Sequence, residues 1–259
     1  MTFAAITDVP APTNEPVHEY AQGSPERGRI TAALKELSGD PIDLPHVIGG
    51  KHAMGAGDRI DVVQPHRHSA VLGTLTNAGH SEAAAAVEAA IAAKDAWAAT
   101  PFDERAAVFL RAADLLAGPW REKLAAATML GQSKTVYQAE IDASCELVDF
   151  WRFNVAFARD LMAQQPISSR GVWNRTDYRP LEGFVYAITP FNFTAIAGNL
   201  PSAPALMGMC PWLVHPGRRN RMSGREARRK RTSAPTHWSS SITESIGTVM
   251  ASGLSLIHI

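Results

Sequence analysis

The sequence predicts an α/β fold in which a parallel sheet is begun but not completed, and three stretches predict it. "GFVYAIT" at 183–189 is a continuous apolar run, the pattern of a strand buried on both faces in a parallel sheet. After Pro190, "NFTAIAGNLPSAPALMG" reads as a helix start, so strand, tight turn and helix make the beginning of a βα unit. Between 80 and 164 the chain is dominated by alanine-rich helical patterns.

Residues 1–45 are rich in Pro, Glu and Gly and predict an arm lying over the rest, with one helical piece, "RGRITAALKELSG", closed by Gly39. From "HVIGGKH" through "DRIDVVQPHR" and "SAVLGTLTNA", short β-branched runs separated by Gly and Pro predict strands and hairpins. A helix follows in "GHSEAAAAVEAAIAAKDAWAAT", with Ser81 as its expected N-cap and Pro101 as its stop. In "FDERAAVFLRAADLLAG", residues Val108, Phe109, Ala112 and Leu115 or Leu116 form one stripe and Gly118 closes it. "PWREKLAAATMLGQ" predicts a third helix with Pro119 at its first position. A long helix is expected from Lys134 to Gln164, with Val136, Ala139, Ala143, Leu147 and Phe150 at steps of three and four. "GVWNRTDYR", between Gln165 and Pro180, looks like a strand, and no internal repeat is found.

At 259 residues and 46% hydrophobic, 19% charged, the composition is globular with room for a sizeable core. The net charge of zero hides an asymmetry. Arg218 to Arg231 holds eight of the 25 basic residues against the single acid Glu226, whereas residues 1–217 carry 17 basic and 23 acidic groups, a net of −6. Cys145 and Cys210 cannot make a disulfide framework, and Cys and His show no metal-ligand spacing. The expectation is a reduced, cytoplasmic protein without a metal. "HRH" at 66–68 follows Pro65 and reads as a solvated loop. The first twenty residues lack a basic segment followed by an apolar one, so no secretory signal is expected there. The weakly polar run Ala195 to Val214 contains three prolines and Asn199, which argues against a membrane span.

One amide stands out. Asn192 sits between two phenylalanines, after an apolar strand and where a helix starts. An Asn in that place commonly caps the helix by accepting from its first N–H groups. It also lies at the carboxyl end of a strand, the edge where open α/β sheets bind ligands, and a side-chain amide there can donate to a developing oxyanion. Both readings stand on the residues alone. Gln138, Asp142, Glu146 and Asp149 share one helical face, which reads as solvated. Cys145 lies mid-helix with no His or Lys placed to lower its pKa.

The stretches "EGFVYAITPFNFTAIAGNLPSAPALMG", "QSKTVYQAEIDASCELVDFWRFN" and "QQPIS" resemble the aldehyde dehydrogenase superfamily, and within it the Δ1-pyrroline-5-carboxylate dehydrogenases. The resemblance covers nearly all of residues 30–208. It implies the amino-terminal part of the aldehyde dehydrogenase fold, with a parallel-sheet dinucleotide-binding domain, and NAD-dependent oxidation of L-glutamate γ-semialdehyde to L-glutamate in proline catabolism. In such enzymes a cysteine thiolate attacks the aldehyde, the resulting alkoxide donates hydride to NAD, and water releases the acid. Asn192 matches the oxyanion asparagine, and loss of a donor of that type costs about 3 kcal/mol in the transition state. Ile188, Thr189, Pro190 and Phe191 match the strand end lining the NAD cleft. Phe193 matches an aromatic wall beside the aldehyde substrate, where ordinary core packing is the alternative. Glu146 matches a helix bordering the substrate entrance. A homo-oligomer is implied for the intact family member.

The resemblance stops at Met209. Neither a Lys-Pro pair after the next strand, nor the base glutamate, nor the nucleophilic cysteine follows. The expected organisation is therefore an arm at 1–45, a dehydrogenase part at 46–208, and a basic, Ser/Thr-rich segment at 209–259 that reads as disordered or translated out of frame. As written, the chain is expected to be inactive. "RRNRMSGREARRKR" could neutralise phosphates, yet no aromatic interleaving or folded reader accompanies it, which argues against nucleic acid as a partner. The alternative function is a non-catalytic fragment that binds nucleic acid through this segment, or binds a full-length dehydrogenase.

Overall fold

The computed structural model describes residues 9–209 and 211–214, so the expectations for 215–259, including the basic cluster, lie outside the described residues. The chain is α/β, with strands at both ends of a helical middle. The arm reaches α1 (Pro25–Leu37), which Ser24 caps by accepting from the Arg27 N–H. Next come β1 (Ile42–Asp43), β2 (His46–Ile48), β3 (Lys51–Ala53), β4 (Arg59–Gln64) and β5 (Arg67–Thr76). β2 and β3 form a hairpin turned by Gly49 and Gly50, both at positive φ, as a tight two-residue turn of matching twist requires. β1, β5 and β4 make a three-stranded sheet, with β1 parallel and β4 antiparallel to β5. His66 of "HRH" falls in the β4–β5 turn, where its Nδ1 is 2.9 Å from the Ser133 hydroxyl.

The helices are α2 (His80–Ala99), α3 (Phe102–Ala117), α4 (Arg121–Gln132), α5 (Val136–Ala139), a π-helical segment (Glu140–Cys145) and α6 (Glu146–Ala163). Three boundaries differ from expectation for local reasons. α2 starts a residue before Ser81, because the Glu82 carboxylate reaches back to the Gly79 N–H at 2.7 Å. Pro119 precedes α4 in the turn and Trp120 takes the cap position. The long helix is not uniform, since residues 140–145 widen to the π form. The strand expected in 171–179 is absent: only an isolated bridge joins Ser169 to Val172 there.

The main core is the meeting of α2, α3, α6 and α7 (Thr194–Leu206), with Trp97, Phe109, Leu116, Leu147, Trp151 and Leu206 buried together. Helix termini leave carbonyls without intrahelical partners. Here the indole of Trp97 donates to the Ala205 carbonyl at 2.8 Å and the Arg105 guanidinium to the Leu206 carbonyl at 2.9 Å, so buried donors close the end of α7. β6 (Val185–Ile188) runs parallel to β7 (Pro211–Val214) with α7 as the crossover, which makes a complete βαβ unit. β7 lies past residue 209, within the segment that the sequence reading sets apart from the dehydrogenase part and that the expectation left without a strand. β6 is not buried on both faces as expected: Ala187 is buried, but Tyr186 and Ile188 are 48% and 57% exposed. α7 packs on both β6 and β7, and α2 also approaches β7.

Candidate functional site at the carboxyl end of β6

The polypeptide leaves β6 through Thr189 and Pro190, turns at Phe191 and Asn192, and enters α7 at Thr194. The N-cap position of α7 falls on Phe193 and no side chain caps it. Asn192 is therefore not a cap, and its exposed amide has no hydrogen-bond partner among the described residues. Phe191 is exposed beside it. Thr189 is the opposite case, 1% exposed with its hydroxyl unpartnered among the described residues. A buried polar group is ordinarily satisfied. An open amide and an orphaned hydroxyl thus stand three residues apart at the carboxyl edge of a parallel βαβ unit.

The far side of the turn is anchored firmly. The Thr194 hydroxyl is 2.9 Å from the Thr128 hydroxyl and accepts from the Gln132 amide at 2.9 Å. The Lys134 ammonium lies 4.5 Å from the centroid of the Phe193 ring and donates to Asp142 at 2.9 Å. Glu146 is half-buried; burial and the neighbouring Asp142 charge raise its carboxyl above the usual range, partly offset by Lys134. Lys134 and Asp142 therefore link Phe193 to Glu146, two residues the sequence had singled out separately. The face bearing Glu146 is not simply solvated: Gln138 completes a capping box with Thr135, Asp142 holds Lys134, and Asp149 accepts from the Asn14 amide and the Glu15 N–H. Thr128, Gln132, Lys134 and Thr194 were not foreseen. Their common signal is a cluster of polar residues closing an alanine-rich helix, legible only once α7 is placed beside it.

Cys145 belongs to a different cluster. Its thiol is 3.4 Å from Arg121 and 3.7 Å from the Glu140 carboxylate, and burial together with Glu140 pushes its pKa up to about 12 despite the arginine. It is a thiol at neutral pH and no nucleophile.

Residues 52–226 match the aldehyde dehydrogenase family. The Δ1-pyrroline-5-carboxylate dehydrogenase, mitochondrial, of Emericella nidulans is 50% identical over 225 residues, covering 82% of this chain and 39% of that protein. The human protein of the same name is 50% identical over 195 residues, covering 75% and 34%. Among solved structures, the Δ-pyrroline-5-carboxylate dehydrogenase of Mycobacterium tuberculosis bound with NAD superposes at a TM-score of 0.81 with 74% identity, over 83% of this chain and 40% of that one. The chain thus spans 34% to 40% of the length of these relatives. With a family match over residues 52–226, the chain belongs to the aldehyde dehydrogenase family.

Proposed function

We propose that this chain is the amino-terminal part of an NAD-dependent Δ1-pyrroline-5-carboxylate dehydrogenase, in which Asn192 offers its amide to the aldehyde oxygen. The reaction of that enzyme takes L-glutamate γ-semialdehyde to L-glutamate. The single observation that carries the reading is the turn after β6, where Asn192 is uncapped and exposed beside the buried, unpartnered hydroxyl of Thr189. That orphaned hydroxyl, at the edge where α/β sheets take nucleotides, fits a polar ligand such as NAD. Ile188, Thr189, Pro190 and Phe191 would hold it, and when bound it supplies the hydride acceptor. The Asn192 amide donates to the aldehyde oxygen as charge develops there. Phe193, one face of its ring taken by Lys134, forms the wall beside the substrate chain, and Glu146 borders the entrance.

Cys145 does not supply the covalent step, and Cys210 lies outside the described residues. The proposal that the 259-residue chain by itself performs no turnover rests on the sequence expectation that the nucleophilic cysteine does not follow residue 209. The cytoplasm is proposed as its compartment on cysteine usage, although the human relative is mitochondrial by name. No helix among the described residues is long and apolar enough to cross a membrane. Self-association is supported by the segment after α6, where Ile167, Trp173 and Leu181 are 91%, 76% and 69% exposed.

Two assays on the purified chain test the proposal together. Calorimetry should detect saturable NAD binding that is weakened by substitution of Thr189 with valine, while NADH formation from glutamate semialdehyde should not exceed the protein-free rate. Absence of NAD binding, or protein-dependent NADH production, would overturn it.

A further inference from the structure

The turn that carries Asn192 is short of restraints of its own. Asn192 and Phe191 are exposed, and the amide makes no hydrogen bond among the described residues. What fixes the turn must act through its neighbours. Thr189 is packed at one end, and at the other Thr194 is held by Thr128 and Gln132 from the end of α4. Between Thr194 and Asn192 stands Phe193, and among the described residues the directed contact on its ring comes from Lys134.

Lys134 is well suited to hold a ring in place. Its side chain is largely buried, in the connection between α4 and α5, so the ammonium has few other positions open to it. Asp142, in the π segment, draws it from one side at 2.9 Å, and the Phe193 face receives it on the other at 4.5 Å. A cation over an aromatic face is attracted by the ring quadrupole, more strongly where water is partly excluded. Asp142 is itself carried on the widened segment that Glu140 anchors against Arg121, so the contact runs back to a rigid support.

We propose that Lys134 is a positioning residue: spanning Asp142 and Phe193, it fixes the Phe193 ring and the turn before it, and thereby aims the Asn192 amide at the β6 edge. The catalytic meaning of that aim rests on the reading of Asn192 as the oxyanion donor. The positioning itself is a statement about this chain alone and is measured without turnover, so its failure is distinguishable from failure of the proposed function, which the NAD-binding and NADH assays test.

The test is nitrogen-15 relaxation on the full chain, in the wild type and in Lys134→Met, which keeps the length and removes the charge. In the wild type, Asn192 and Phe193 should show rigid backbone order parameters of about 0.85. In Lys134→Met these should fall below about 0.6, while Ala195, Ala197 and the β6 amides keep their values, a local signature that general destabilisation does not produce. Lys134→Arg, which keeps a cation over the ring, should restore them. Should Lys134→Met fail to fold, Asp142→Asn releases the ammonium from its partner and should loosen the same two residues. Unchanged order parameters in the variant that folds, a turn already mobile in the wild type, or no recovery with arginine would each overturn the proposal.

Discussion

Arg121 ties the arm to the helices. Its guanidinium, almost wholly buried, donates to Glu15 and the Pro16 carbonyl of the arm and to Glu140 of the π segment, and Glu140 also accepts from the His18 N–H at 2.8 Å and the Tyr20 hydroxyl at 2.7 Å. Burial pushes the Glu140 carboxyl upward, but these donors outweigh it and hold the pKa below its ordinary value. Breaking a buried pair by removing one partner strands the other charge. Arg121→Met should therefore cost about 3–5 kcal/mol, read as a lowered denaturation midpoint. Because the folded pKa of Glu140 is depressed, its contribution is present above the ordinary carboxylate range and is lost as pH falls through the folded value. His46 adds a second acid-sensitive group. It is buried, its Nε2 lies 2.9 Å from the Thr76 carbonyl, its Nδ1 has no partner among the described residues, and burial lowers its pKa below 6.5. A buried neutral imidazole contributes stability above pH 6.5 that is lost on acidification through the folded pKa. Urea midpoints should fall between pH 7 and 5, and His46→Gln should flatten that slope; an unchanged slope would contradict the assignment. The turn that carries Asn192 was legible in the sequence because strand, proline, amide and helix start are consecutive. Lys134 was not, because its partners Asp142 and Phe193 come from different elements and meet it only in space.

The π segment shows how an element departs from its own periodicity. The steps of three and four from Val136 to Phe150 describe one continuous helix, yet Glu140, Ser144 and Cys145 are all engaged by Arg121 or the arm, while Asp142 and Glu146 are associated with Lys134. One widened turn serves both sets of partners, and neither is encoded in the helix's own pattern. The helices as such were readable because their apolar stripes are long, and the expected strand in 171–179 failed because β-branched and aromatic residues describe exposed loops as well as strands. Two glycines mark close approaches that no period reveals. A Cβ at Gly73 would come within 2.5 Å of the Ile42 carbonyl oxygen, so Gly73→Ala should part β1 from β5 at a cost of about 1–3 kcal/mol, seen as faster exchange of the Leu44 amide that bonds Thr74. At Gly198 a Cβ would meet the Leu147 side chain at 2.8 Å. The side chain rather than backbone must move there, so Gly198→Ala should cost less, about 1 kcal/mol, read as a lowered urea denaturation midpoint.

Over the molecule as a whole, the arm proves to be part of the fold. α1 packs along α4, with Arg29 bonded to Glu122 at 2.7 Å and Lys123 to Glu36 at 3.0 Å, and Tyr20 and Ile30 join Ala125, Ala126 and Ala139 in a second small core. What residues 9–37 lie on was not legible from composition, because Glu15 and its partner Arg121 are 106 residues apart. Tyr186 and Ile188 of β6 and the apolar segment around Trp173 leave large side chains exposed, and such patches drive association. Light scattering at rising concentration should show oligomers or aggregates, and Trp173→Ser with Ile167→Ser should reduce them; a monomer with a sharp thermal transition would contradict this. Under the proposed function the β6 edge, rather than the basic cluster at 218–231, is where this chain meets a nucleotide. The most direct measurement is a residue-resolved NMR titration of the chain with NAD. Shifts concentrated at residues 188–193 and persisting in added salt are the predicted result; shifts confined to residues 218–231 and abolished by salt would contradict it.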